Sequence, residues 1–464
     1  MTGRLHPDTL AQLPAAVRRP PHRDPSTPPG VVHLGLGAFH RAHQAVVYDA
    51  LAALGDDRWG VFGVAMRSSA VIDALRPQGQ LYAVDIASTT ESYWQVIGAV
   101  RDTANAALEP QRVIAAMAAP STRWITLTVT EKAYTPELAH LLVQGLQARA
   151  RAGAPGVTVA SCDNLSSNGD QLRELCLSAA RSLDADTARW IEQHCRFPNS
   201  MVDRIVPQSD DRVLNAAQQA LGLQDLAALS TEGFWEWAIQ RDRLDPADAE
   251  ALARVGVMVV DDVKAFEEAK LRMLNGVHSA IACIGAVVPQ NTVRETVSLP
   301  WVREFVRGFL DEVAPVVRRP HTDAYRDALL QRFVNPALHH RCHQIAMDGS
   351  VKITQRWVPA SLALMALNRP TPHLTMATAC WVRYWQGRAE QGQAYGFSDP
   401  YAAELQALVS RARDDDDCVQ SLLHFEPIWG AELPRQPGWM AAVQHDYRRI
   451  RQQGLQATLS GLSA

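Results

Sequence analysis

The sequence of 464 residues predicts an α/β fold, in which a doubly wound parallel sheet is followed by an all-helical second half. Short apolar segments alternate with segments of helical periodicity up to about residue 260, and the first apolar segment ends in a glycine turn. After residue 260 only helical periodicity continues. Alternation of this kind is typical of parallel sheets, whose strands are connected through helices that cover both faces.

The first half begins with an arm rich in proline and arginine, and the first strand begins at Val31. β-Branched and aromatic residues predict three further strands, and apolar spacing predicts the helices between them. The predicted strands are 59–65, 124–130 and 157–161, and the predicted helices are 40–54, 109–118, 136–151 and 169–183.

The second half has apolar residues at helical spacing, interrupted by prolines. We therefore expect two domains, a sheet domain over residues 1–255 and a helical substrate-binding and catalytic domain over residues 256–464. The helices predicted after the boundary are 263–288, 300–318, 323–332, 359–367, 373–390, 400–413 and 437–455.

Composition excludes several classes of partner. The formal net charge is -4, so no general positive field attracts nucleic acid or an anionic membrane. No apolar stretch approaches the ~20 residues that span a bilayer, and the N-terminus lacks the apolar core of a signal peptide. Seven dispersed cysteines suggest reduced thiols. We expect a cytoplasmic protein, a monomer or small homo-oligomer, whose partner is a small molecule.

The segment that begins at Val31 is the most informative part of the chain. It passes from an apolar run through Gly35 and Gly37 into a helical segment, with His40 where a third glycine is usual. In a Rossmann-type domain, the first glycine permits a tight turn and the second lets the backbone approach a dinucleotide pyrophosphate at a helix N-terminus. Glycine turns after strands are common, so this pattern alone predicts a cofactor site only weakly.

A second motif opens the helical half, where Lys270, Asn275 and His278 lie on one predicted helix. On a regular helix they would fall within an arc of about 140° and spread over roughly 12 Å of axis. Three groups that contact one small substrate would have to lie closer together. A local break of the helix at Gly276 would bring them closer, or another segment would have to contribute to the site. The alternative is a solvated lysine, a polar asparagine and a core histidine. Desolvation lowers the pKa of a lysine from ~10.4, which would let it accept a hydroxyl proton.

Together, six ordered segments resemble the mannitol dehydrogenase family of long-chain polyol and aldonate oxidoreductases. They occur in the family's order through most of the sequence and are far more specific together than any one alone. The segments are Gly35–Gln44, Thr128–Lys132, Ser161–Leu165, Pro198–Arg204, Lys270–Ser279, and Asn335–Pro336 with Gln344–Lys352.

The resemblance implies hydride transfer without zinc or any other metal, and it implies roles for individual residues. Lys270 resembles the general base, Asn164 and Asn275 resemble the amides that hold the reacting oxygen, and His278 resembles the histidine that orients the substrate. Two amide donors suit an oxygen that gains negative charge as hydride leaves carbon. Glu267 resembles an acid that relays the proton to water, or it is an ordinary exposed helix glutamate.

The resemblance also implies substrate and cofactor contacts. Asp203, Gln344 and Lys352 resemble substrate-pocket residues, although Asp203 could instead cap a helix or pair with Arg204, and Lys352 could be exposed. The expected cofactor is NAD, and the residues implied to contact it are Gly35, Gly37, Ala38, Phe39, Arg67, Glu131 and Lys132.

The choice between NAD and NADP depends on the end of the second strand. An acidic residue there would hold the ribose hydroxyls of NAD, whereas an arginine could accommodate the 2′-phosphate of NADP. This chain has Met66-Arg67-Ser68. The family mostly uses NAD, so NAD is the expectation and NADP is not excluded.

Two substrate pairs and one further polyol fit the resemblance. D-Mannonate/D-fructuronate comes first, because mannitol dehydrogenases tend to have an arginine where Gln344 stands; D-mannitol/D-fructose is a close second and D-arabinitol a third. A different hypothesis is a catalytically silent dinucleotide-binding sensor or scaffold. The presence of Lys270, Asn164, Asn275 and His278 together argues against it, since a sensor needs no proton-transfer residues.

Overall fold

The computed structural model describes residues 3–22, 24, 26–88, 91–335 and 340–462, apart from the side chain of Glu131. The chain forms two compact units, Met1–Lys264 and Ala265–Ala464. No helix in these described ranges is both long and apolar enough to cross a bilayer.

The described strands all belong to the first unit. They are β1 (Val31–Leu34), β2 (Val61–Ala65), β3 (Tyr82–Ala87), β4 (Ser92–Ile97), β5 (Val100–Asn105), β6 (Trp124–Leu127), β7 (Thr158–Ser161), β8 (Ser200–Asp203), β9 (Leu229–Glu232), β10 (Glu236–Gln240) and β11 (Met258–Val260).

The main sheet has the strand order β5-β2-β1-β6-β7, and every pairing in it is parallel. Alternate residues of each strand enter different cores: Val31 packs into one core, and Val32 and Leu34 pack into the other. A sheet that is buried on both faces needs apolar residues on both sides of each strand, which explains the continuous apolar runs. The predicted doubly wound α/β sheet is confirmed.

Helices connect these strands. In the first unit they are α1 (Ala38–Ala42), α2 (Gln44–Ala53), α3 (Ala70–Leu75), α4 (Pro110–Ala118), α5 (Pro136–Arg151), α6 (Asn168–Leu183), α7 (Ala185–His194), α8 (Asp211–Leu221) and α9 (Pro246–Arg254). Several begin with proline at the first helical position, where its fixed φ suits a helix and its missing N–H costs nothing.

The described part of the second unit contains helices and no strand, which confirms the helical second half. Its first helix begins one residue before the unit boundary. The helices are α10 (Lys264–Ala269), a π-helix (Lys270–Asn275), α11 (Gly276–Val287), α12 (Val293–Ser298), α13 (Pro300–Val313), α14 (Thr322–Phe333), α15 (Cys342–Ala346), α16 (Gly349–Arg356), α17 (Val358–Ala366), α18 (Pro372–Tyr384), α19 (Ala402–Arg411), α20 (Asp415–Leu423), α21 (Glu426–Trp429) and α22 (Trp439–Ser460).

Two small sheets were not predicted. One has the order β11-β10-β8 and the other β4-β3-β9, and each contains one parallel and one antiparallel pairing. β3 and β4 are consecutive in the chain, as are β10 and β11, but β9 and β8 pair with strands from other parts of the chain. Local periodicity does not indicate these last two pairings.

Candidate functional site

The carboxyl ends of β1, β2, β6 and β7 lie at one edge of the main sheet, and several predicted site residues follow these ends. This placement results from the parallel register, in which Leu34 lies beside Val64 and Leu127, and Leu127 lies beside Ser161. Ligands of open α/β folds bind at this edge. The Gly35–Gly37 segment follows β1, Arg67 follows β2, and Asn164 follows β7.

The two glycines of the turn after β1 have different structural reasons. Gly35 has a φ of +94°, and a Cβ there would lie 2.2 Å from the carbonyl oxygen of Thr128. Gly37 has an ordinary φ of -88°, is exposed, and has the Gly35 carbonyl oxygen as its nearest contact for an added Cβ, at 3.8 Å. Gly35 is therefore required by the fold, whereas Gly37 leaves its backbone open to a ligand.

The helix after the glycine turn is interrupted. The sequence predicts one helix over 40–54, but α1 spans only Ala38–Ala42 and ends at His43, whose φ and ψ are -121° and -87°. Phe39 stacks on the His43 ring at 5.1 Å between centroids. The prediction of a single helix was wrong: at the break, His43 makes this local stacking and a long-range hydrogen bond to the carbonyl of Glu236, which the sequence did not reveal.

His40 replaces the third glycine by stacking on His33 of β1, with ring centroids 3.4 Å apart. The His33 ring is held by hydrogen bonds to Thr126 Oγ1 at 2.8 Å and Thr128 Oγ1 at 2.9 Å. Burial lowers the pKa of His33 to about 3 and that of His40 well below its ordinary value. Two neutral rings in contact thus serve the close helix–strand packing that the third glycine normally permits.

Arg67 lies in an exposed turn directly after β2. Asn105, the last residue of β5, holds this turn: its Nδ2 donates to the Arg67 carbonyl at 3.0 Å and to Ser69 Oγ at 2.8 Å. The Arg67 carbonyl is held in place, and its side chain is exposed to solvent. Sequence reasoning missed Asn105, because nothing nearby marks it as a partner of a turn 36–38 residues earlier.

The loops after β6 and β7 are joined by Asp163, which is buried. Its carboxylate accepts hydrogen bonds from the Thr130 N–H at 2.8 Å and from the Tyr134 hydroxyl at 3.0 Å. Thr130 has a φ of +73°, a conformation that costs a threonine about 1–3 kcal/mol and persists only when surroundings impose it. Asp163 therefore shapes the turn that leads to Glu131 and Lys132, and it also precedes the exposed Asn164. Asp163 lies within one of the sequence motifs, but no role was predicted for it.

Asp203 is buried at the end of β8, opposite Glu236 of β10. It ends a strand, so it caps no helix. The neighbouring Arg204 donates to the carbonyl oxygens of Glu232 and Ala42.

The second unit contains the unexpected element of the site, the π-helix over Lys270–Asn275, here called the π-turn. In a π-helix the i→i+5 hydrogen bond places residues five apart above one another, whereas an α-helix offsets them by about 140°. Lys270 and Asn275 are five apart, and His278 follows Asn275 by three, the spacing of neighbours on an α-helix. The π-turn therefore brings these three side chains onto one face. The helix does not break at Gly276, whose φ and ψ are -61° and -54°, but it departs from α-helical geometry in the six residues directly before it.

Burial differs along this face. Lys270 and Asn275 are partly buried, and His278 is 6% exposed. Glu267, one turn before Lys270, is 7% exposed, so the alternative of an ordinary exposed glutamate was wrong.

His278 packs on the Phe333 ring, with centroids 4.9 Å apart, and lies 5.6 Å from the His340 ring. Burial lowers the pKa of His278 well below its ordinary value, and the positive fields of His340, Arg332, Arg356 and Lys352 lower it further. Its Nε2 is buried and has no hydrogen-bond partner among the described residues. A neutral imidazole with a free ring nitrogen can orient a hydroxyl group without bringing a charge.

Lys352 binds the backbone of α15, the helix that carries Gln344, and of Met347, which follows this helix. The Lys352 ammonium donates to the carbonyl oxygens of Ile345 and Met347, so Lys352 is not simply exposed. Cations near the end of a helix commonly satisfy its last carbonyl groups. Gln344 is exposed on α15.

Arg356 and Trp357 hold the backbone at the end of the π-turn. Arg356 Nη1 donates to the Asn275 carbonyl at 3.0 Å, and Trp357 Nε1 donates to the Gly276 carbonyl at 2.9 Å. Neither residue was predicted from the sequence. Arg356 follows Lys352 by four residues, so both lie on one face of α16. This spacing could have identified Arg356 as a candidate site residue.

The described residues contain no group of three or more histidine, cysteine, aspartate or glutamate side chains arranged to hold a metal ion. What the second unit presents is an amine, an amide and a neutral imidazole on one helix face. Such groups can accept a proton and donate hydrogen bonds to an oxygen that becomes negative.

Known proteins resemble this chain over most of its length. The mannitol dehydrogenase Rossmann domain family matches residues 29–250, and the mannitol dehydrogenase C-terminal domain family matches residues 262–451. The D-mannonate oxidoreductase of Escherichia coli (strain K12) is 33% identical over 465 residues, which cover 93% of this chain and 95% of that protein.

Two mannitol dehydrogenases are similarly related. The mannitol 2-dehydrogenase of Phaeosphaeria nodorum is 32% identical over 494 residues, which cover 99% of this chain and 85% of that protein. The solved structure of Pseudomonas fluorescens mannitol 2-dehydrogenase, a ternary complex with NAD and D-mannitol, has 31% identity and a TM-score of 0.84, covering 99% of each chain. The resemblance inferred from six motifs is confirmed, and the chain is a member of the mannitol dehydrogenase family of oxidoreductases.

Proposed function

We propose that this chain is an NAD-dependent, metal-independent oxidoreductase that interconverts a secondary alcohol and a ketone on an open-chain sugar acid or polyol. The observation that carries the proposal is the π-turn, which places Lys270, Asn275 and His278 on one helix face. D-Mannonate/D-fructuronate is the first substrate pair and D-mannitol/D-fructose the second. Relatives of both kinds are about one third identical to this chain, so the order rests on Gln344, where the mannitol branch tends to have arginine.

The residues around the glycine turn fit a dinucleotide. Gly37 is exposed, and an added Cβ would meet nothing closer than 3.8 Å, so a phosphate group has room to approach its backbone. When bound, NAD supplies the acceptor for the hydride that leaves the alcohol carbon. We propose Gly35, Gly37, Ala38 and Phe39 at the phosphates, and Arg67, Glu131 and Lys132 as further cofactor contacts.

Lys270 takes the hydroxyl proton of the substrate. An amine is the group in this motif that can accept a proton from an alcohol at mildly alkaline pH. Glu267 lies three residues earlier, at the spacing of helix neighbours, and it passes this proton on towards water.

Asn275 and Asn164 donate hydrogen bonds to the reacting oxygen. Among the described residues, the Asn275 side-chain amide makes no hydrogen bond, so it can bind a ligand without breaking one. These bonds strengthen as the oxygen becomes negative and therefore favour the transition state. His278, kept neutral by burial, orients the hydroxyl, and Asp203, Gln344 and Lys352 contact the rest of the substrate.

A panel assay of NADH oxidation in EDTA tests the proposal. The substrates are D-fructuronate, D-fructose and the ketoses of other pentitols and hexitols, and we expect the highest kcat/KM with D-fructuronate. Loss of activity in EDTA that zinc restores would contradict the metal-independent mechanism. NADH binding without activity on any substrate would favour the sensor hypothesis instead.

A further inference from the structure

Arg356 is the last residue of α16 and is partly buried. One of its three guanidinium nitrogens donates hydrogen bonds to described residues, and the other two do not. Its Nη1 donates to the Asn275 carbonyl at 3.0 Å and to Ser279 Oγ at 2.7 Å. Its Nε and Nη2 make no hydrogen bond with any described residue, and no described carboxylate pairs with it. Burial alone lowers the pKa of Arg356 to about 10.

The surroundings of Arg356 add positive charge. Arg332, which is 5% exposed, and Lys352 and His340 act together with Arg356 on the buried His278 ring. Taking the Arg356 guanidinium out of water costs free energy, because no described carboxylate compensates for its lost hydration. A negative group that binds to its remaining donors would offset that cost.

We propose that Arg356 binds the carboxylate of a sugar-acid substrate and thereby selects acids over uncharged polyols; this inference rests on the proposed function. Nε and Nη2 form the parallel pair of donors that matches the two oxygens of a carboxylate. The bonds from Nη1 to Asn275 and Ser279 hold the guanidinium before the substrate arrives, which lowers the entropy cost of binding.

Arg356 is tied to the helix turn that carries Asn275, the proposed donor to the reacting oxygen. A carboxylate bound to Nε and Nη2 is therefore fixed relative to Asn275, and a sugar acid held at this end presents its other carbons to the same helix face. Neutral polyols gain nothing from this contact. Arg356 is thus a residue that determines specificity, beside its structural bond to the Asn275 carbonyl.

The test compares Arg356→Gln and Arg356→Lys with the exposed control Arg369→Gln, using NADH with D-fructuronate and with D-fructose. Arg356→Gln should raise the KM for D-fructuronate at least about 30-fold more than the KM for D-fructose, a difference of ~2 kcal/mol, and the loss shared by both substrates measures the support that Arg356 gives to the Asn275 carbonyl. Arg356→Lys keeps the charge but loses the paired donors, so its KM should lie between. Arg369→Gln should match the wild type.

An equal loss with both substrates would show that Arg356 only supports the helix, and it would overturn the inference while leaving the proposed function intact. Calorimetry on the wild type in the presence of NAD gives an independent measurement of ligand affinity, because it involves no substitution that could impair folding. The wild type should bind D-mannonate more tightly than uncharged D-mannonamide, and equal affinity would overturn the inference. Absence of turnover on every substrate, with D-mannonate binding that depends on Arg356, would overturn the proposed function but support the carboxylate site.

Discussion

Alanine substitutions at the two glycines of the turn after β1 separate a folding requirement from a cofactor requirement. Gly35→Ala would hold a non-glycine residue at a φ of +94°, which costs about 1–2 kcal/mol. Its Cβ would also lie 2.2 Å from the Thr128 carbonyl oxygen and 2.7 Å from its carbon, so the backbone must shift, at a further cost of about 1–3 kcal/mol. We expect Gly35→Ala to lower the free energy of unfolding by about 2–5 kcal/mol, a large part of the ~5–15 kcal/mol typical of proteins.

Gly37→Ala should behave differently. Its φ of -88° is ordinary for alanine, and the nearest atom to the new Cβ is 3.8 Å away. Loss of glycine at the position before a helix costs about 1 kcal/mol or less. The added methyl group occupies the space through which a pyrophosphate would approach the backbone, so the Kd for NADH should rise at least about tenfold, or ~1.4 kcal/mol.

Two measurements decide the comparison. Urea unfolding followed by tryptophan fluorescence gives the stability of each variant, and titration of NADH fluorescence gives its Kd. A Gly37→Ala variant that binds NADH as the wild type does would refute the placement of the cofactor at Gly37. A Gly35→Ala variant as stable as the wild type would refute the account of the Gly35 turn.

Four further substitutions test other residues of the proposed site. Lys270→Ala should lower kcat by several orders of magnitude and leave NADH binding nearly unchanged, and the exposed Lys264→Ala serves as its control. The rate of alcohol oxidation by the wild type should rise with pH through one ionisation. Near-normal oxidation by Lys270→Ala would exclude Lys270 as the base. Asn164→Ala and Asn275→Ala should each lose about 2.7–4 kcal/mol of transition-state stabilisation. If both amides serve one oxygen, the double variant should lose less than the sum of the two single losses. Strict additivity of the losses in kcat/KM would indicate separate roles. Arg67→Asp should raise the ratio of kcat/KM for NADH over NADPH, because a carboxylate repels the 2′-phosphate; an unchanged ratio would mean that Arg67 does not read the ribose.

Local patterns in the sequence sufficed for the family, the parallel sheet and most helix positions. Buried parallel strands are continuous apolar runs, and helices that pack on one face repeat at 3.6 residues, so Val31–Leu34 and Pro136–Arg151 are visible without a structure. Gly35 and Gly37 were also visible, because glycines directly after an apolar run indicate a tight turn at the end of a strand. These features depend on neighbours in the chain.

The tertiary structure decided what depends on distant residues. The π-turn cannot be predicted from Lys270–Asn275 alone, since its amino acids suit an α-helix; in the structure Arg356 and Trp357, about 81 residues later, bind the carbonyl groups at its end. Likewise Asp163 shapes the turn at Thr130, and Glu267 is buried although its sequence context resembles an exposed helix. The chain itself therefore specified the chemical groups and the fold, and long-range packing determined which of those groups share a face and which of them lose water.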